Sequence, residues 1–132
     1  MKEIKKEVLF MGYRSQVRIC MKKASFEELK QELMGEYDYL ITGLDEYTET
    51  TGNYYCGDKT EEVVVFGWDW IKWYESYEDI QVINRFLDKL SDRNEDYSFI
   101  RIGEDVDDTE IYSNCNEGYC DIIHLERSVY ID

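Results

Sequence analysis

Proline is absent from the chain and histidine occurs once, at His124. The missing proline decides nothing about the fold, but one histidine leaves little room for histidine chemistry. A Cys–His nucleophile pair must use His124 with Cys20, Cys56, Cys115 or Cys120, and no local signature supports any of these pairs. Zinc favours tighter Cys-x2-Cys pairs and further histidines, whereas Cys115 and Cys120 are separated by four residues. No metal or other cofactor is expected, and His124 reads as a strand residue. Nor is there a glycine-rich phosphate loop, since Gly67 and Gly103 stand alone.

Long apolar runs are also missing. None approaches the ~20 residues that a membrane helix requires. The segment Met1–Glu7 lacks the apolar core and small-residue cleavage site of a signal peptide. A cytoplasmic location with reduced cysteines is therefore expected. With 132 residues and ordinary apolar content, the chain is expected to form a single domain over residues 1–132.

Positive charge is the scarcest ingredient. Lys and Arg number 15 against 30 Asp and Glu, a net charge of −15. The imbalance is uneven. Residues 1–30 hold eight basic and four acidic groups, which leaves 7 basic and 26 acidic groups for residues 31–132. Most of such a surface repels nucleic acid and attracts a basic protein, especially one built to hold nucleic acid. Acidity serving solubility alone is the competing explanation.

The apolar pattern points to an α+β fold. Val17, Ile19 and Met21 alternate with Gln16, Arg18 and Cys20, which predicts a strand over 7–21 with a bend near Gly12. Ser25 followed by Glu28 has capping-box spacing, and Phe26, Leu29 and Leu33 form a helical stripe ending near Gly35. Residues 36–60 read as a short helical turn or strand at 39–44, then a long polar loop or irregular hairpin. Val63–Phe66 predicts a strand leading into Gly67–Tyr74. Alternation there places Trp68 and Trp70 together in the core, and leaves one or two of Trp73, Tyr74 and Tyr77 partly exposed. Ile80, Ile83, Leu87 and Leu90, widened by Val82 and Phe86, predict a helix over 77–92. Tyr97–Ile102 is apolar on both faces, as in a strand covered on one side and partly on the other. A short strand at 110–113, a turn at 114–118 and a final strand at 121–131 complete the chain. The expected architecture is one mixed, mostly antiparallel sheet of about four to six strands, with two amphipathic helices packed on one face.

After Gly103 come Glu104, Asp105, Asp107, Asp108 and Glu110, with no basic residue among them. A calcium loop starting at Asp105 fails at position six, where Glu110 replaces glycine, and at position twelve, where Asn116 replaces glutamate. A carboxylate pair of glycosidase type cannot be argued in a chain with 30 carboxylates. An enzyme is not expected. Binding remains. Glu104, Asp105, Asp107, Asp108 and Glu110, together with Asp45, Glu46, Glu49, Asp58, Glu61 and Glu62, offer carboxylates to the Arg and Lys side chains of a nucleic-acid groove. Tyr47, Tyr54, Tyr55 and Tyr112 supply packed area between the charges, and Trp73 and Tyr74 are further candidate partner contacts. Such a protein would be a competitive decoy with no direct nucleic-acid or membrane binding. The alternative is an accessory domain that binds its partner through the Trp/Tyr surface.

Gly12-Tyr13-Arg14-Ser15, Ile71-Lys72-Trp73-Tyr74 and Phe99-Ile100-Arg101-Ile102-Gly103-Glu104-Asp105, with Asp107-Asp108 and Glu110, resemble a group of small acidic proteins from bacteria and their phages. The resemblance spans residues 11–111. That group has no established activity, so the resemblance implies no catalytic residue. The segment 45–60 and the acidic tail lie outside the matched pattern. In size, acidity and lack of enzyme motifs the chain also resembles phage anti-CRISPR and other DNA-mimic inhibitors, a likeness of type and not of motif. It implies an inhibitor of a basic, nucleic-acid-handling host defence protein such as a CRISPR effector.

Overall fold

The computed structural model describes residues 13–47, 49–56, 59–105 and 107–114. In chain order they form β1 (Ser15–Lys22), α1 (Lys23–Leu33), α2 (Asp38–Tyr47), β2 (Glu49–Cys56), β3 (Lys59–Ile71), α3 (Glu78–Asp92), β4 (Tyr97–Gly103) and β5 (Thr109–Asn114). The five strands make one sheet in the order β2-β3-β1-β4-β5, and every pairing is antiparallel. The fold class is α+β, as the apolar pattern predicts. The expected strand at 121–131, the 114–118 turn beyond Asn114, the bend at Gly12, and Cys115, Cys120 and His124 lie outside the described residues.

The register sets the core. Val17 stands opposite Trp68 and Arg101, Ile19 opposite Phe66 and Phe99, and Met21 opposite Val64 and Tyr97. Alternation puts these side chains on one sheet face. All but Arg101 share a single core cluster with Phe26, Leu29 and Leu33 of α1, Leu40 of α2, and Ile80, Ile83, Phe86, Leu87 and Leu90 of α3. Each such side chain contributes about 1.5–3 kcal/mol on burial. Cys20, Val63, Val65, Ser98 and Ile100, which alternate to the other face, are buried too. The expectation of a strand apolar on both sides therefore holds: Tyr97 to Arg101 are all buried.

Three details differ from the sequence reading. The short helical turn or strand expected at 39–44 is a full helix, and of the two readings of the rest of 36–60 the irregular hairpin holds and the long loop does not. Asp38–Tyr47 is a helix, and Glu49–Cys56 pairs with β3 as a hairpin irregular between Thr50 and Gly52. Three helices are present among the described residues instead of two. The first helix begins two residues before Ser25, with Lys22 at the N-cap and no side-chain cap. Ser25 is buried inside it and donates to Glu95 Oε2 at 3.2 Å, while Glu28 is held by the Arg93 guanidinium at 2.8 and 2.9 Å. Third, Trp70 is 64% exposed. Ser15 pairs with Ile71 and Val17 with Trp68, so Asp69 and Trp70 together face Gln16 across a bulge. The extra residue shifts the alternation, which turns Ile71 toward the core and releases Trp70.

Two glycines are required by the backbone, one for its dihedral angle and one for a close approach. Gly35, at φ +99°, turns the chain after α1, and its N–H donates to Asp38 Oδ1 at 2.9 Å. A Cβ at Gly67 would overlap the Val17 carbonyl and come within 2.8 Å of its carbon, so glycine lets β1 and β3 close.

Candidate functional site

Arg101 comes from β4 on the core-facing side, in line with Tyr97 and Phe99, and is only 7% exposed. A buried guanidinium requires anionic and neutral acceptors for its fixed fork of donors. It has them. Nη2 pairs with Asp108 Oδ1 and Nη1 with Asp108 Oδ2 at 3.1 Å, a bidentate contact. Nε donates to Glu110 Oε1 at 2.5 Å, and Nη1 also donates to Ser15 Oγ at 2.9 Å. Burial lowers the Arg101 pKa, but the hydrogen bonds and charges of Asp108 and Glu110 raise it on balance.

The turn between β4 and β5 closes on this arginine. Gly103 N–H donates to the Asp108 carbonyl at 2.7 Å, and Asp108 N–H to the Asp105 carbonyl at 3.1 Å. Tyr13 Oη donates to Asp108 Oδ2 and accepts from Asp105 N–H at 3.2 Å. Arg14 N–H donates to Glu104 Oε2 at 2.7 Å, and Tyr74 Oη to the Tyr13 carbonyl at 3.0 Å. Tyr13, Arg14, Ser15, Tyr74 and the 101–110 stretch, far apart in sequence, thus form one cluster. Burial and the adjacent Asp108 and Asp105 charges push the Tyr13 pKa up, although the Asp105 N–H opposes them.

The candidate carboxylates therefore divide. Asp108 and Glu110 share the single Arg101 cation from inside, a trio of net charge −1, so these two carboxylates are not freely presented with the rest of the stretch. Glu104, Asp105 and Asp107 are exposed on the turn. Asp45 and Glu46 lie in the last turn of α2, and Glu49 opens β2. Among the described strands β2 and β5 lie at opposite ends of the sheet order, four strand spacings or ~19 Å apart.

Of Trp73, Tyr74 and Tyr77, one or two of which are expected to be partly exposed, Tyr77 is the exposed one, and Trp73 and Tyr74 are not. Both are 7% exposed, so these two candidate contacts are packing residues. Trp73 stands between Trp68 and Phe99, at ring-centroid distances of 5.9 and 5.6 Å. Tyr74 meets Tyr77 edge-on at 4.8 Å. The open aromatic surface is formed instead by Trp70, by Tyr39 at 60% exposure, and by Tyr77 at 41%.

These three aromatics edge a cleft of about 660 Å³ between the beginnings of α2 and α3 and the end of β3. Tyr37 and Trp68 complete its aromatic wall, and Arg14, Lys72, Glu78 and Asp79 supply charge. Trp68 Nε1–H is anchored on the Leu40 carbonyl at 3.3 Å. Asp79 is fixed as well: Oδ1 accepts from Ile80 N–H at 2.7 Å, and Oδ2 accepts the Tyr39 hydroxyl. Burial of the phenol and that hydrogen bond push the Tyr39 pKa up to about 12. No sequence signal assembled this cleft, because its parts come from four separate segments.

Cys20 is buried, and desolvation pushes its thiol up to about 12, so it behaves as a small apolar residue. Among the described residues no group of His, Cys, Asp and Glu could hold a metal ion, and no helix is long and apolar enough to cross a membrane. No protein-family model matches the chain, and neither a curated protein nor a solved structure matches it.

Proposed function

We propose that the protein is a non-enzymatic acidic inhibitor that binds a basic, nucleic-acid-handling host defence protein and competes with its nucleic acid, in the manner of an anti-CRISPR. The observation that carries this reading is the 103–108 turn. Arg101 and Tyr13 pin it from within, and Glu104, Asp105 and Asp107 project from it into solvent. A preorganised turn loses less freedom on binding than a mobile one. The surrounding excess of carboxylates steers a basic partner toward it. Arginines that grip phosphates accept carboxylates with the same fork.

The test is capture of a host protein on the immobilised chain, followed by competition with that protein's own nucleic acid. Binding should weaken steeply with added salt and be lost on reversing the exposed carboxylates together, as E104K/D105K/D107K. Binding that survives both salt and charge reversal would refute the decoy reading.

A second reading follows from the exposure of Trp70, Tyr39 and Tyr77: an accessory domain that docks a partner through aromatic anchors, with acidity serving solubility. There, Trp70→Ala abolishes binding and the charge reversals do not.

A further inference from the structure

We propose that the cleft beside Trp70 is a small-molecule site for a planar heterocycle carrying an anionic group, the class of a nucleoside monophosphate. The inference is independent of the acidic turn and rests on three features of the cleft.

The first is flat aromatic surface. Trp70, Tyr39 and Tyr77 stand open to solvent at its edge. A nucleobase stacks on such rings with little regard for its identity. The second is positive charge outside any close ion pair. Arg18, Lys23, Lys30, Lys89, Arg93 and Arg101 each pair with a carboxylate. The Arg14 and Lys72 side chains, both lining the cleft, form no ion pair among the described residues. In a chain with twice as many carboxylates as cations, two such cations in one aromatic cleft need a reason, and a phosphate supplies one. The third is a set of fixed acceptors. Asp79 is oriented by Ile80 N–H and Tyr39, and its oxygens keep further lone pairs; Glu78 lies beside it. Exocyclic amines and ring N–H groups of a base are suitable donors.

Stacking face, anion and donors at separate positions describe a nucleotide more closely than a protein side chain. A lysine or arginine of a basic partner would meet Arg14 and Lys72, and an acidic protein would be repelled by the rest of the surface. A small anion escapes most of that repulsion, since charges beyond ~8 Å are screened at physiological ionic strength. The cleft volume of about 660 Å³ lies within the usual range for ligand pockets.

The test is titration calorimetry of the full chain with AMP, GMP, CMP and UMP, the corresponding nucleosides, and inorganic phosphate. At least one monophosphate should saturate a single site. Its nucleoside and free phosphate should each bind at least about tenfold more weakly. Trp70→Ala should weaken binding roughly ten- to a hundredfold, and R14A/K72A by about tenfold or more, with the far-ultraviolet circular dichroism unchanged. No saturable binding of any monophosphate at millimolar concentration overturns the proposal, as does binding indifferent to both variants. Binding of a lysine-rich peptide that depends on Trp70, without any nucleotide response, also overturns it and assigns the cleft to a protein partner.

Discussion

Arg101 and Asp108 form a bidentate ion pair that ties the end of β4 to the residue just before β5. The arginine is nearly buried and the aspartate about one-third exposed, so the pair straddles the boundary between core and surface. It converts a run of like charges into a closed turn.

Removing Arg101 should therefore cost more than removing a surface charge. Arg101→Met leaves Asp108 and Glu110 facing each other without a cation, and loss of one partner from a buried pair costs about 3–5 kcal/mol. The exposure of Asp108 favours the lower end of that range. Arg101→Lys keeps the charge but loses the fork, and should fall between wild type and Arg101→Met. Urea denaturation of the three proteins checks the order. Amide exchange at Gly103, whose N–H closes the turn, should accelerate in step.

Gly67→Ala should destabilise by about 1–3 kcal/mol, the usual scale of overpacking. The new methyl would occupy the position of the Val17 carbonyl, so β1 and β3 must separate where the sheet is central. The same substitution at Gly43 meets only the edge of the Trp68 ring, 3.0 Å from a side chain that can shift, and should cost less. Thermal unfolding of the two variants distinguishes a backbone collision from a side-chain one.

Much of this architecture is legible before any coordinates. The stripe Ile80, Ile83, Leu87, Leu90 became α3, with every one of those residues buried, and the chain leaves it through Asn94 at positive φ. Alternation gave β1 and β4. The segment 36–60 was obscure for a physical reason. Among the described residues β2 is paired on one side only, so it does not require the apolar alternation of an interior strand. In α2, Gly43 interrupts the helical stripe to admit the Trp68 ring. Trp70 was misplaced because a bulge shifts the phase of alternation and leaves no local mark in composition. For the acidic turn, the missed signal was Arg101. An arginine in line with Tyr97 and Phe99 on an apolar face demands carboxylate partners, and the nearest ones follow Gly103.

Trp70 and Trp73, three residues apart, should respond in opposite ways to truncation. Trp70→Ala removes an exposed ring and should change stability by no more than about 0.5 kcal/mol. Trp73→Ala removes a ring packed between Trp68 and Phe99 and should cost about 3–5 kcal/mol. Near-ultraviolet circular dichroism of the native variants adds a second readout. The ordered Trp73 environment contributes the larger signal, so losing it should flatten the spectrum.

The tyrosines predict a loss of stability in alkali. Tyr39 titrates at about 12 in the folded chain against 10.0 for an unperturbed phenol. Tyr13, Tyr74 and Tyr112 are shifted in the same direction by burial or by neighbouring carboxylates. Between those two pH values the unfolded chain has released the Tyr39 proton and the folded chain still holds it. Folding then binds a proton, so stability falls as pH rises. The contribution is fully present below pH 10.0 and is lost by about pH 12. Urea midpoints measured across this window should decline. Tyr39→Phe, which cannot ionise, should decline less steeply, although it also gives up the hydrogen bond to Asp79 and starts from a lower midpoint. Tyrosinate absorbance gives the direct check: the native protein should show fewer phenolates than its urea-unfolded form at the same pH. Equal phenolate counts in the two forms would mean that the Tyr39–Asp79 contact does not persist in solution.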